Sequence, residues 1–184
     1  RELRGGVIAA MMHGACAMDV REWRPAVIAS AKFEAQIIVD LLRNAAVADV
    51  LTFCDVTYAL EGLRGARANM VFMSLANETA ALEWVRSLRR AVDHSLRKAP
   101  VLIISSQLTA AQAERFRHAG ANAIIAKPVS TATLVGVVKK VLAKPRPFIE
   151  SAVYVGPCRR AGIVTAGPDK RRRQSDGREK ADAL

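Results

Sequence analysis

Five short and almost unbroken apolar runs punctuate residues 25–126, and each is followed by a stretch with helical character. The runs are Ala26-Val27-Ile28-Ala29, Val50-Leu51-Thr52-Phe53, Met70-Val71-Phe72-Met73, Val101-Leu102-Ile103-Ile104 and Ala123-Ile124-Ile125-Ala126. A strand with one solvated face would show a polar residue at every second place. A continuously apolar strand has to be covered on both faces, which is the condition of a parallel sheet held between two helical layers.

The intervening segments supply those layers. Phe33, Ile37, Ile38, Leu41 and Leu42 recur at helical spacing and predict a helix over 32–46. Leu82, Val85, Leu88 and Val92 mark a third helix, and Leu134, Val137, Val138, Val141 and Leu142 mark the last. Thr109 and Ser130 are suitable N-caps, whereas Gly65 and Gly120 suit the ends of helices over 56–64 and 110–118. The pattern predicts an α/β fold: an open, doubly wound, five-stranded parallel sheet of the flavodoxin-like kind over residues 25–144. Residues 1–24 show no sustained period and read as a poorly ordered leader. Residues 145–184 read as a basic, mostly disordered tail, beginning at the helix stop Pro145-Arg146-Pro147.

Composition removes several function classes. No apolar run approaches the roughly 20 residues of a membrane-spanning helix. Cys16, Cys54 and Cys158 have neither metal-ligand spacing nor the pattern of a disulfide framework, so the expected location is the cytoplasm. No Gly-rich phosphate loop follows the first strand, and the sequence calls for no cofactor and no metal. The net charge of +11 is spread along the whole chain and points to anionic partners without selecting one. His13, His94 and His118 belong to no recognisable site, and Trp23 and Trp84 read as core residues. Arg86, Arg89 and Arg90 read as a solvated helix face.

Open parallel sheets place their chemistry at the carboxyl ends of the strands. Here those ends carry Ser30, Cys54, Ser74, Ser105 and Lys127. The block Ala119-Gly120-Ala121-Asn122-Ala123-Ile124-Ile125-Ala126-Lys127-Pro128 resembles the fifth-strand block of response-regulator receiver domains. Pro100-Val101-Leu102-Ile103-Ile104-Ser105-Ser106 is similar to that family's fourth strand, with Ser105 at its switch hydroxyl. Asn69-Met70-Val71-Phe72-Met73-Ser74 is similar to the third strand, which normally ends on the phosphoacceptor aspartate. The resemblance implies a module of two-component phosphorelay signalling. It implies a cis peptide before Pro128, and an output and dimer face around Gln112, Arg117, Ile124 and Val135.

The chain departs from the family where the chemistry would occur. Ala29 and Ser30 align with the acidic pair that holds a divalent cation, and Ser74 aligns with the nucleophile. Magnesium requires hard oxygen donors, above all carboxylates, and a serine hydroxyl without a base is a weak nucleophile. Ala29, Ser30, Ser74, Ser105 and Lys127 therefore form a degenerate phosphorylation pocket. The chain reads as a non-enzymatic receiver-like module that acts on signalling protein partners, with a homodimer as one form. In such a pocket Lys127 is left to bind a free anion, or a carboxylate from Glu78.

The tail suggests two other readings. Val155-Gly156-Pro157-Cys158-Arg159-Arg160 is echoed by Ala166-Gly167-Pro168-Asp169-Lys170-Arg171-Arg172-Arg173, each a Gly-Pro turn leading into cations. Arginine grips phosphates bidentately and stacks on bases, and Tyr154 offers a ring. The segment resembles arginine-rich extensions of single-domain receivers, some of which bind cyclic di-GMP. Tyr154, Arg159, Arg160, Lys170, Arg171, Arg172 and Arg173 are then the candidate ligand residues. Nonspecific nucleic-acid binding is the other reading, against which stand the lack of zinc-finger spacing and of an aromatic-rich RNA motif.

Overall fold

The computed structural model describes residues 19–167. The first elements follow the alternating pattern: β1 (Pro25–Ala29), α1 (Lys32–Asn44), β2 (Leu51–Phe53), α2 (Val56–Gly62), β3 (Met70–Ser74) and α3 (Glu78–Arg89). A short α4 (His94–Lys98) precedes β4 (Val101–Ser105), α5 (Ala110–Ala119), β5 (Ala123–Ala126) and α6 (Thr131–Ala143). Three further strands follow: β6 (Phe148–Glu150), β7 (Val155–Pro157) and β8 (Val164–Ala166).

The sheet runs in the order β2-β1-β3-β4-β5-β8 with all neighbours parallel. Every residue of β1, β3 and β5 is buried, as continuous apolar runs require. One core lies under α1 and α6 and contains Val27, Leu42, Phe72, Ile125 and Val138. The other lies under α2, α3 and α5 and contains Ile28, Leu63, Val85, Ile103 and Phe116. Trp23 and Trp84 are buried in these two cores respectively.

The caps sit where the side chains dictate. Thr109 accepts a hydrogen bond from the Gln112 amide and Ser130 accepts one from Thr133, both at 3.1 Å. Gly120 ends α5 at φ 105°, a left-handed conformation that glycine adopts without penalty. The peptide between Lys127 and Pro128 is cis.

Four expectations need correction. Residues 19–24 are built into the domain: Val20–Glu22 forms a turn of 3-10 helix, and Trp23 plugs the core beneath α1. Val92 does not extend α3 but is almost fully exposed, because Asp93 caps the separate helix α4 through the amides of Ser95 and Leu96. The sheet has six strands, because β8 pairs with β5 through Ala123↔Val164, Ile124↔Thr165 and Ile125↔Ala166. Residues 145–167 are consequently part of the domain and not of a disordered tail. Arg97 Nη2 donates to both carboxylate oxygens of Glu150 at 3.1 Å, and Arg146 donates to the carbonyls of Ala121 and Gly162.

The fourth correction concerns Arg89, which is 1% exposed and not solvated like Arg86 and Arg90. Its Nε and Nη2 donate to the Gly120 carbonyl at 3.0 and 2.8 Å, and Nη1 donates to Arg97 and Ala99 at 2.7 and 2.8 Å. Nη2 also reaches the Asn122 side-chain oxygen at 2.9 Å. Carbonyl dipoles thus replace the lost water around this cation. Burial pushes its pKa down to about 10, which leaves it charged at neutral pH.

Candidate functional site

Parallel pairing brings the predicted strand-end residues to one edge of the sheet. Ala29 lies opposite Ser74, and Ser105 opposite Ala126, which precedes Lys127. The Ser30 amide donates to the Ser74 carbonyl at 3.1 Å, while the Ser30 hydroxyl accepts from the Ala76 amide at 3.0 Å. Ser30 thus shapes the turn after β3 and has its hydroxyl committed there. Ala29 is buried and offers only a methyl group.

At the centre stands a residue that the sequence reading missed. Glu34, in the first turn of α1, turns its carboxylate into the pocket. Its Oε2 accepts from the Ser74 hydroxyl at 3.0 Å, and its Oε1 accepts from Lys127 Nζ at 2.5 Å. The hydrogen bond from Lys127 lowers the Glu34 pKa, burial opposes it, and Ser74 adds to the lowering. A signal for this contact was present in the sequence. A lysine at the end of a buried strand calls for a countercharge, and Glu34 is one helical turn beyond Ser30.

Glu78 does not reach Lys127. It pairs with Arg115 of α5 at 2.5 Å and accepts from Gln112 at 3.2 Å. The Ser105 hydroxyl shares a cavity wall with Glu34 and Lys127 but bonds elsewhere: it accepts from the Gln107 amide at 3.2 Å and lies 3.5 Å from Gln112 Oε1. The hydrogen bonding divides the five predicted residues. Ser74, Glu34 and Lys127 form one bonded unit; Ser30 and Ser105 serve their own loops.

The Glu34–Lys127 pair stands between two cavities. A polar one of about 500 Å³ has Glu78, Ser105 and Gln112 in its walls. A more apolar one of about 360 Å³ is lined by Phe33, Ile37, Leu41 and Val129. Divalent-cation chemistry of the receiver kind needs several free carboxylate oxygens. The Glu34 oxygens are engaged, Glu78 is held by Arg115, and Ala29 and Ser30 supply no carboxylate. The donor set does not fit such a cation. Ser74 is 1% exposed.

The tail residues gather elsewhere. The Arg159 guanidinium stacks over the Tyr154 ring at 4.2 Å and lies 3.3 Å from His118 Nδ1, while the Tyr154 hydroxyl donates to Pro157 at 2.7 Å. Burial raises the Tyr154 pKa. One face of the Tyr154 ring is thus occupied by Arg159. Arg160 is exposed, and Lys170, Arg171, Arg172 and Arg173 lie outside the described residues. The expected output face also changes, since Ile124 is fully buried and the β5 edge is covered by β8.

Solved structures similar to this chain include receivers. The chemotaxis response regulator CheY4 of Vibrio cholerae superposes with a TM-score of 0.56 at 18% identity, covering 65% of this chain and 98% of that one. A response regulator from Desulfuromonas acetoxidans gives 0.56 at 18%, over 65% and 96% of the two chains. The receiver domain of a signal-transduction histidine kinase from Syntrophus aciditrophicus gives 0.53 at 18%, over 71% and 98%. No protein-family model matches the sequence, and no curated protein matches it significantly. The fold of this chain is that of the response-regulator receiver domain.

Proposed function

We propose that this chain is a non-enzymatic, receiver-fold module of two-component signalling that works without an aspartyl phosphate and acts by contact with signalling proteins. The observation that carries this reading is the bonding of Glu34. One carboxylate accepts from the serine at the end of β3 and from the lysine after β5. In a phosphorylated receiver the new charge recruits a lysine and a hydroxyl. Here the lysine is satisfied by an internal carboxylate, and Ser105 is bonded into its own loop. The state of the module is then set by partner contact or abundance. The reading places it in the cytoplasm, in keeping with the free thiols of Cys54 and Cys158.

The test is incubation of the full chain with acetyl phosphate and Mg²⁺, read by intact mass and by lability to hydroxylamine. The expected outcome is no phosphoprotein. A stoichiometric, hydroxylamine-labile adduct would overturn the proposal.

A further inference from the structure

One stretch of the chain is electrically one-sided. Residues 115–149 contain seven Lys/Arg and no Asp or Glu. Three of these cations meet at a groove of about 610 Å³ at the opposite end of the sheet from Lys127. It lies where the last turn of α6 faces the start of β8, beside Asn122 at the foot of β5. Val141, Ile163 and Val164 form its apolar wall, and Lys140, Lys144 and Arg146 its cationic rim.

Among the described residues, no carboxylate lines this groove, and neither Lys140 nor Lys144 has an ion-pair partner. The carbonyls ending α6 offset part of their charge but carry no full negative charge. Arg146 is more constrained. It is half-buried and donates to the carbonyls of Ala121 at 2.5 Å, Gly162 at 2.7 Å and Cys158 at 3.4 Å. Burial lowers its pKa, Tyr154 and Cys158 oppose that lowering, and the nearby charge of Arg117 adds to it. A partly desolvated cation flanked by two more and faced, among the described residues, by no carboxylate carries an electrostatic cost. An anion entering the groove would relieve it, and an apolar body would cover the exposed wall.

We propose that this groove binds a small amphiphilic organic anion. Its carboxylate, sulfonate or phosphate-ester head lies among Lys140, Lys144 and Arg146, and its apolar body lies on Val141, Ile163 and Val164. The site is separate from the Glu34–Lys127 pocket and does not depend on how that pocket works.

The test uses anilinonaphthalene sulfonate as an anionic fluorescent probe and phenylnaphthylamine as its uncharged counterpart, titrated into the full chain at low salt. The compared variants are Lys140→Ala/Lys144→Ala and Lys139→Ala/Arg90→Ala. The second pair removes the same charge from exposed positions outside the groove; Arg146 is left intact because it anchors backbone. The groove pair weakens sulfonate binding about tenfold, as expected for two solvent-screened charge contacts, and the control pair changes it by less than about twofold. Binding of the uncharged dye is unaffected in both. Equal losses in the two variants, an unchanged affinity in the groove pair, or no sulfonate binding by the wild-type chain overturns the proposal.

Discussion

Replacing Arg89 with methionine tests how the lower end of the domain is held together. The guanidinium sits between α3, the loop after α4 and the turn before β5, and it satisfies the carbonyls of Arg97, Ala99 and Gly120. Methionine keeps much of the apolar stem but removes every donor. Two of those carbonyls, of Ala99 and Gly120, are bonded in a buried setting. A buried acceptor left without a donor costs about 1–3 kcal/mol, so these two cost roughly 2–6 kcal/mol. Removing a buried charge works the other way, since among the described residues no carboxylate pairs with Arg89. The close bonding of the guanidinium by carbonyl oxygens makes that gain the smaller effect. The net expectation for Arg89→Met is a loss of about 3 kcal/mol in unfolding free energy, measured by urea denaturation followed by circular dichroism. Arg89→Lys loses a similar amount, because one ammonium cannot span the three carbonyls that the planar fork reaches. A loss below about 1 kcal/mol for Arg89→Met would refute the argument that hydrogen bonding outweighs desolvation.

Other outcomes follow from the added strand and from the pocket. Deleting residues 145–184 exposes the β5 edge and part of the wall behind Val141; the shortened protein loses about 2 kcal/mol or more and self-associates in light scattering. A monomer of unchanged stability would show that β8 does not protect that edge. In a double-mutant cycle of Glu34→Gln and Lys127→Met, the coupling is about 1 kcal/mol near neutral pH, reduced from its Coulombic value because both side chains are about one-third exposed. The folded Glu34 pKa is lowered, so this coupling is present above the ordinary carboxylate pKa and disappears as pH falls through the folded value. A coupling that persisted in strong acid would contradict the assignment.

The layered fold was legible because its strands are buried on both faces. The run 101–104 became β4 with one added residue, and the run 123–126 became β5 without change. Thr109, Ser130 and Gly120 were readable because capping and left-handed turns depend on local side-chain chemistry. The segment Val164-Thr165-Ala166 was not readable. It is three residues long and only partly buried, and pairing with the β5 edge makes it a strand. Arg89 lies four residues after Val85 on the buried stripe of α3, but its charge makes it read like Arg86 and Arg90; the carbonyls of two other segments, Arg97 with Ala99 and Gly120, are what satisfy it there. Glu34 escaped notice for a related reason. Alignment with receivers directs attention to the residues immediately after β1, whereas the carboxylate that fills the pocket comes one helical turn later.

The central claim is that a carboxylate of the chain itself holds Lys127 and Ser74 at the end of the sheet. Its most direct test is a carbon-detected NMR titration of the Glu34 side-chain carboxyl in the wild type and in Lys127→Met. The account predicts a midpoint clearly below the ordinary glutamate range in the wild type, and a return toward or above that range when Lys127 is replaced. An ordinary midpoint in the wild type, unmoved by Lys127→Met, would mean that Glu34 does not hold Lys127 in solution.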